Sequence, residues 1–426
     1  MQDSHRQINH PLYIIAASFF VWLLAVLLIF GYTPTNDGIG YIEYAEKCLK
    51  QGQLYPTASL YHEIPFVWNI GIINLVELSL WLSQSLWPLL ILLCLMKSVT
   101  CLITGLIAQK IFSQKTAIIA MLLFALYPNN WGQSTMISSE IPSTCFAVTA
   151  VYVAICQHNL FLCGLLLAVA NWFRPTATIF IASMIVFYIL CRHKRVFRKI
   201  ICLMTGFLLF VIVVGSSTYL RTGHFIYQSQ SYWFSMVDEC YDGAEVAPHW
   251  GQPVWPEGTP RYIENHETMD CFQFERIWSK RSLDWLTNHK SDYLAKIPGR
   301  LYYMYQSDCD NMSAFLTSKS HPENNFITLP YRSLLSQWST LNEAQWLSLF
   351  NLLMYFVLLA LSFLASISLY RQRRFSQTIL PVIVIVIGTL MLVIVMHGET
   401  RFKDPLMPFF YMLAAAYFNS APTSAQ

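Results

Sequence analysis

The chain has 426 residues, of which 55% are hydrophobic and only 12% charged, with a mean hydropathy of +0.43. Apolar runs recur from one end to the other, which excludes a soluble globular protein and indicates an all-α polytopic membrane protein. The net charge of +3 is too small for a nucleic-acid partner, and the way charge is distributed says more than its sum.

About 20 apolar residues cross the hydrocarbon core as a helix. By that rule the candidate crossings are residues 12–31, 87–111, 117–127, 141–156, 160–173, 177–191, 200–219, 346–370, 379–396 and 406–418. The first run has no basic region followed by a small-residue cleavage site, and so reads as a retained anchor. Arg192, Lys194, Arg195, Arg198 and Lys199 form one basic cluster, Arg371, Arg373 and Arg374 a second, and Lys110 with Lys115 a third. The positive-inside rule puts these turns in the cytoplasm. Only one crossing then fits between the first anchor and Lys110. Residues 87–111 are longer and more apolar than 65–83, so the latter reads as a helix packed at the outer surface, within an outer loop of residues 32–84. Both termini are expected in the cytoplasm, in a plasma membrane of bacterial type.

Residues 32–84, 128–140 and 397–404 therefore face outward, together with a long insertion. That insertion, residues 221–345, is rich in Trp, Tyr, Pro and charge, and reads as a small α-rich domain with helices near 272–289 and 293–305. It separates an N-terminal membrane module, 1–220, from C-terminal membrane helices, 346–426. Of the eleven cysteines, Cys240, Cys271 and Cys309 fall in the insertion, where two could pair in an oxidising compartment.

Asp37 lies just past the first anchor, in Thr35-Asn36-Asp37-Gly38, and an amphipathic segment follows it with Tyr41 and Tyr44 on the less polar side. Two readings stand. An Asp ahead of a helix caps it, and a carboxylate held at headgroup depth suits chemistry on a lipid-borne substrate. Glu140, in Ser138-Ser139-Glu140-Ile141-Pro142, opens a helix, either as a favourable N-terminal charge or as an acid facing a cavity between helices. Lys97 sits within the run 87–111, where a charge costs about 2.5–3.5 kcal/mol unless it snorkels or faces an interior partner. Arg174, before Pro175, stands where a helix reaches the outer face and either binds phosphate or anchors the interface. Arg401, in Glu399-Thr400-Arg401-Phe402-Lys403-Asp404, is an outer cation against the positive-inside bias, suited to an anionic group; Glu399–Lys403 also reads as a plain ion pair. Asp308-Cys309-Asp310 resembles a two-aspartate metal pattern, but no nucleotide-binding α/β unit surrounds it and no metal is assigned.

Asp37 with Tyr41, Ala125-Leu126-Tyr127-Pro128 followed by Glu140, Arg174-Pro175, and Glu399-Thr400-Arg401-Phe402 with Pro405 and Pro408 occur in that order. In this the chain resembles the membrane glycosyltransferases that use polyprenyl-phosphate sugars, the protein O-mannosyltransferase and lipid A aminoarabinose transferase family with the GT-C fold. The resemblance implies a GT-C-like bundle of about ten membrane helices whose active site lies on the outer, periplasmic face. It implies Asp37 as general base, an inverting attack on the anomeric carbon, Glu140 as an orienting acid, and Tyr41, Lys97, Arg174, Glu399 and Arg401 as substrate-binding residues. The partners are then a polyprenyl-phosphate sugar, a protein, lipid or glycan acceptor, and membrane lipid; the resemblance assigns no cofactor and leaves metal use open. Relatives commonly carry a second acid after the first-loop Asp, where this chain has Gly38. A lipid-linked sugar flippase and an inactive membrane scaffold are the competing classes; inverted repeats, which transporters of this kind carry, are not found in the chain.

Overall fold

In the computed structural model every predicted apolar run is helical. The structure describes residues 10–191, 195–241, 260–308, 311–319, 338–371, 377–395 and 398–419, and among these there is no strand. Cys309, Asp310, Arg192, Lys194, Arg373 and Arg374 lie outside the described residues.

The anchor α1, His10–Phe30, leads into the amphipathic α2, Asn36–Gln51. Thr35 caps α2, its hydroxyl accepting from the Gly38 N–H at 3.1 Å, and Gly38, Tyr41, Ala45 and Cys48 form its buried stripe at helical spacing. The capping role read from the sequence for Asp37 thus belongs to Thr35, and Asp37 sits in the first helical turn with its carboxylate committed elsewhere. The sharp end of α2 uses Gly52 at φ +63°, a left-handed conformation that favours glycine. The helix α3, Ile70–Ser83, follows, and then α4, Trp87–Ile111.

A short turn leads from α4 to α5, Gln114–Leu126, capped by Ser113; α6, Pro128–Gln133, and α7, Glu140–Tyr152, come next, with one π-helical turn extending α7 to Gln157. The helix α8, Leu160–Phe173, stops at Arg174 because Pro175 cannot continue it, and α9, Thr178–Leu190, and α10, Val196–Thr222, complete the N-terminal half. The helices α8 and α10 cross at backbone contact. A Cβ at Gly164 would stand 1.9 Å from the Leu203 carbonyl, and one at Gly206 would stand 2.0 Å from that of Phe161. Small residues that let two backbones meet are a main source of helix association in lipid.

Beyond α10 come α11, Tyr232–Tyr241, α12, Cys271–Asn288, α13, Lys290–Ala295, α14, Ile297–Tyr305, and α15, Asn311–Lys319. The predicted helix at 293–305 is two helices, broken before Pro298. This insertion leans on the segment between α2 and α3: Cys271 N–H donates to the Tyr61 carbonyl at 2.8 Å and Gln230 N–H to that of Val67 at 2.8 Å. Cys240 and Cys271 are both buried free thiols. Three helices close the chain: α16, Glu343–Arg371, α17, Leu380–Val395, and α18, Met407–Tyr417, the last two joined across a 3₁₀ turn, Thr400–Leu406.

Among the described residues six helical stretches are long and apolar enough to cross a membrane, and α5, α8 and α9 are shorter apolar helices, as is α3. Exposed Leu28, Val213, Leu220 and Phe363 put apolar side chains on the outside of the bundle, the surface that lipid solvates. The molecule is an integral membrane protein.

Candidate active site

Three chain segments meet at one end of the bundle. The first is held to the second by Thr33, whose N–H donates to the Thr135 carbonyl at 2.9 Å and whose hydroxyl meets that of Thr135 at 2.7 Å. The third is the 3₁₀ turn before α18. Each carries acids or cations selected above.

Arg401 reaches from that turn to α2. Its Nη1 donates to Asp37 Oδ2 at 2.6 Å and its Nε lies 2.6 Å from Glu399 Oε1, so one guanidinium bridges two carboxylates. The Arg401 and Asp37 side chains are 35% and 34% exposed, whereas that of Glu399 is only 8% exposed. Burial alone would lower the Arg401 pKa, but Glu399 and Asp37 beside it hold it well above its ordinary value, which keeps it a fixed cation.

Behind this group lies a second pair. Arg174 donates from Nη1 to Glu140 Oε1 and, at 3.3 Å, to the Ser139 hydroxyl, with both charged side chains about one-tenth exposed or less. The other oxygen of Glu140 accepts from Ser138 at 2.8 Å and Ser139 at 3.3 Å. The Arg174 guanidinium also lies over the Phe402 ring, 5.4 Å from its centroid, which ties α8 to the turn that carries Arg401. A buried charge pair persists when its remaining valences are filled in this way.

Asn69 joins the two groups. Its Nδ2 donates to the Tyr41 hydroxyl at 2.9 Å and to that of Ser139 at 3.2 Å, spanning α2 and the start of α7. Burial, and then the charges of Asp37 and Glu140, raise the Tyr41 pKa, so its phenol stays neutral beside two carboxylates. Gly38 is also accounted for here. A Cβ at this position would stand 2.9 Å from the Thr35 hydroxyl oxygen and 3.0 Å from that of Tyr32, so the cap leaves no room for a second acid.

Lys97 takes a different place. It donates to Gln133 Oε1, whose amide donates in turn to Asp404 Oδ2 at 2.9 Å; Asp404 also accepts from Asn311 at 3.2 Å. Lys97, Gln133 and Asp404 line a small polar cavity together with Glu140, Tyr127 and Tyr411, while Asp37 and Arg401 are not part of its lining. Glu140 is thus the wall between an inner polar cavity and the half-open outer group. Asp308, the first residue of the two-aspartate pattern, is buried and accepts from Asn351 at 2.6 Å, a tie between the insertion and α16. Among the described residues no group of His, Cys, Asp and Glu is arranged to hold a metal.

Sequence reasoning did not select Asn69, Ser138, Ser139, Gln133 or Phe402. Ser138 and Ser139 stand next to Glu140 and could have been marked; Asn69 and Gln133 are ordinary polar residues until the fold brings them across.

Residues 70–219 match the model of the dolichyl-phosphate-mannose-protein mannosyltransferase family. No curated protein and no solved structure matches the chain. The matched stretch runs from α3 to α10 and contains Lys97, Glu140 and Arg174, while Asp37, Glu399 and Arg401 flank it in sequence and join it in space. The match supports a membrane glycosyltransferase that takes its sugar from a polyprenyl phosphate.

Proposed function

We propose that this protein transfers a sugar from a polyprenyl-phosphate donor to a hydroxyl or amine of a protein, lipid or glycan acceptor at the outer face of the membrane, with Asp37 as general base. The observation that carries this reading is the Arg401 bridge between Asp37 and Glu399: a partly exposed cation and a partly exposed carboxylate, held together and both within reach of a substrate.

The chemistry follows from the charges. Arg401 is about one-third exposed and Arg174 is sealed, so the cation that an arriving phosphate can reach is Arg401, in exchange for Asp37. Arrival of the donor phosphate draws the guanidinium over and frees Asp37. The carboxylate then removes the acceptor proton as the acceptor atom attacks the anomeric carbon from the face opposite the phosphate. The bond from that carbon to the phosphate oxygen breaks, and the oxygen leaves with the electron pair, its charge met by Arg401. Inversion at the anomeric carbon is the outcome. Arg174 and Glu140, sealed against Ser138, Ser139 and Phe402, hold the floor of the site, and Lys97 lends positive charge to the cavity beneath it. The lipid chain lies along the bundle, in a bacterial-type plasma membrane with both chain termini in the cytoplasm, the membrane modules 1–220 and 346–426 flanking an outer unit at 221–345.

The test is sugar transfer by the purified protein reconstituted with polyprenyl-phosphate sugars, wild type against Asp37→Asn. Transfer by the wild type that the substitution abolishes supports the assignment. Transfer that the substitution leaves unchanged removes Asp37 as base, and movement of lipid-linked sugar across the membrane without transfer would favour a flippase.

A further inference from the structure

Lys403 lies two residues from Arg401 and is completely buried. Its ammonium donates to three backbone carbonyls: Met304 at 2.9 Å, Ser307 at 2.7 Å and Thr400 at 2.9 Å. An ammonium has three N–H donors, and here each meets an acceptor while the Tyr355 ring stands 4.9 Å away. Two of those carbonyls come from the end of α14 and its continuation, and the third comes from the turn that bears Arg401. Lys403 therefore stitches the turn to the outer insertion.

The other end of the turn meets the same helix. A Cβ at Gly398 would stand 2.2 Å from the Arg300 carbonyl oxygen, so residue 398 rests directly on the backbone of α14. The helix is itself pinned. The Arg300 guanidinium, also completely buried, binds Glu239 through Nε at 3.1 Å and Nη2 at 3.0 Å and donates to the Val393 carbonyl at 3.3 Å. The seat of Arg401 is thus fixed at residues 398 and 403 by an element remote in sequence, whose own position is set by α11 and α17.

From this geometry we infer that Lys403 is a positioning residue for the donor phosphate: it holds the 3₁₀ turn on α14 so that the Arg401 guanidinium is presented beside Asp37. The inference rests on the phosphate-binding role given to Arg401 above. Loss of the Lys403 ammonium takes a donor from three carbonyls at once, those of Met304 and Thr400 in buried contacts, and the turn relaxes away from α14. Arg401 then samples many positions and loses the preorganisation that makes it a good phosphate ligand.

A double-mutant cycle on the full chain in lipid nanodiscs separates this from a general loss of structure. The probe is a short-chain polyprenyl monophosphate without sugar, and the readout is its dissociation constant. Lys403→Met is expected to weaken binding about tenfold when Arg401 is present and by less than about twofold in the Arg401→Met background, because a residue acting through another has nothing left to act on. Equal losses in both backgrounds, or no loss when Arg401 is present, overturn the positioning role. Should Lys403→Met fail to give a cooperative melting transition, the same cycle with Lys403→Gln, which keeps two N–H donors, is judged by the same outcomes. Unchanged binding in Arg401→Met alone overturns the reading of Arg401 on which the inference rests; impaired binding in that variant beside intact binding in Lys403→Met overturns the inference alone.

Discussion

Arg401 and Arg174 each meet a carboxylate at the same end of this bundle, but the first pair is about one-third exposed and the second about one-tenth exposed or less. The difference sets what each pair can do. A half-exposed pair contributes about 0–1 kcal/mol to stability, so exchanging its carboxylate for a substrate phosphate costs the fold little. A buried pair resists removal of either partner, because the one left behind is an uncompensated charge. The outer pair is therefore suited to change partners during a reaction, and the inner pair to stay put.

The sharpest way to break that contrast is Asp37→Asn. It is expected to lower sugar transfer by about 10²–10⁴-fold, the range for a lost general base, with the melting transition of the protein nearly unmoved. Transfer assays in proteoliposomes beside calorimetry would show it, and a large loss of stability would mean that the outer pair is structural after all. Next in size, Arg174→Met should destabilise the fold by about 3–5 kcal/mol, measured by denaturation in detergent, since Glu140 is left buried without its cation. A stable Arg174→Met variant would erase the distinction between the pairs. Arg401→Met should weaken donor binding by about 10²-fold and lower stability more than Asp37→Asn does, because it leaves the buried Glu399 without its cation. The smallest effect is expected of Asn69→Ala, which removes the tie between Tyr41 and Ser139: about 0.5–1.5 kcal/mol of stability, with a few-fold loss of transfer as the two pairs lose their fixed spacing. An Asn69→Ala protein with normal transfer would show that the two pairs work independently.

Much of the architecture was legible in the sequence because hydropathy and length alone identify membrane helices, and each predicted run proved helical. Of residues 65–83, expected as a helix separate from the run 87–111, residues 70–83 form α3. Local signals served well where the physics is local: Glu140 does open a helix, and Pro175 does end one. They failed where two residues compete for one local role. Both Thr35 and Asp37 are good caps, and only the backbone shows that Thr35 takes the N–H of Gly38. The single helix expected across residues 293–305 failed for a similar reason, since Pro298 permits either a kink or a new start.

Long-range partners were harder to read. Glu399–Lys403 was a reasonable ion pair by spacing, yet Glu399 meets Arg401 while the Lys403 ammonium bonds three carbonyls, two of them about a hundred residues away in sequence. Lys97 does face an interior partner, as the cost of an intramembrane charge implies, but that the partner is Gln133 only the fold shows.

The sequence by itself determined that the chain is a helical membrane protein, that most of its unusual acids and cations fall near helix ends, and which residue types were available for chemistry on a lipid phosphate. These follow from transfer free energies and local propensities, which depend on few neighbours. Only the tertiary structure decided that Asp37 and Arg401, 364 residues apart, share one contact, that Glu140 and Arg174 form a sealed pair behind them, and that α14 holds the turn on which Arg401 stands. Such contacts depend on how helices cross and how closely their backbones approach, as at Gly164 and Gly206, and no window of sequence contains both sides of a crossing.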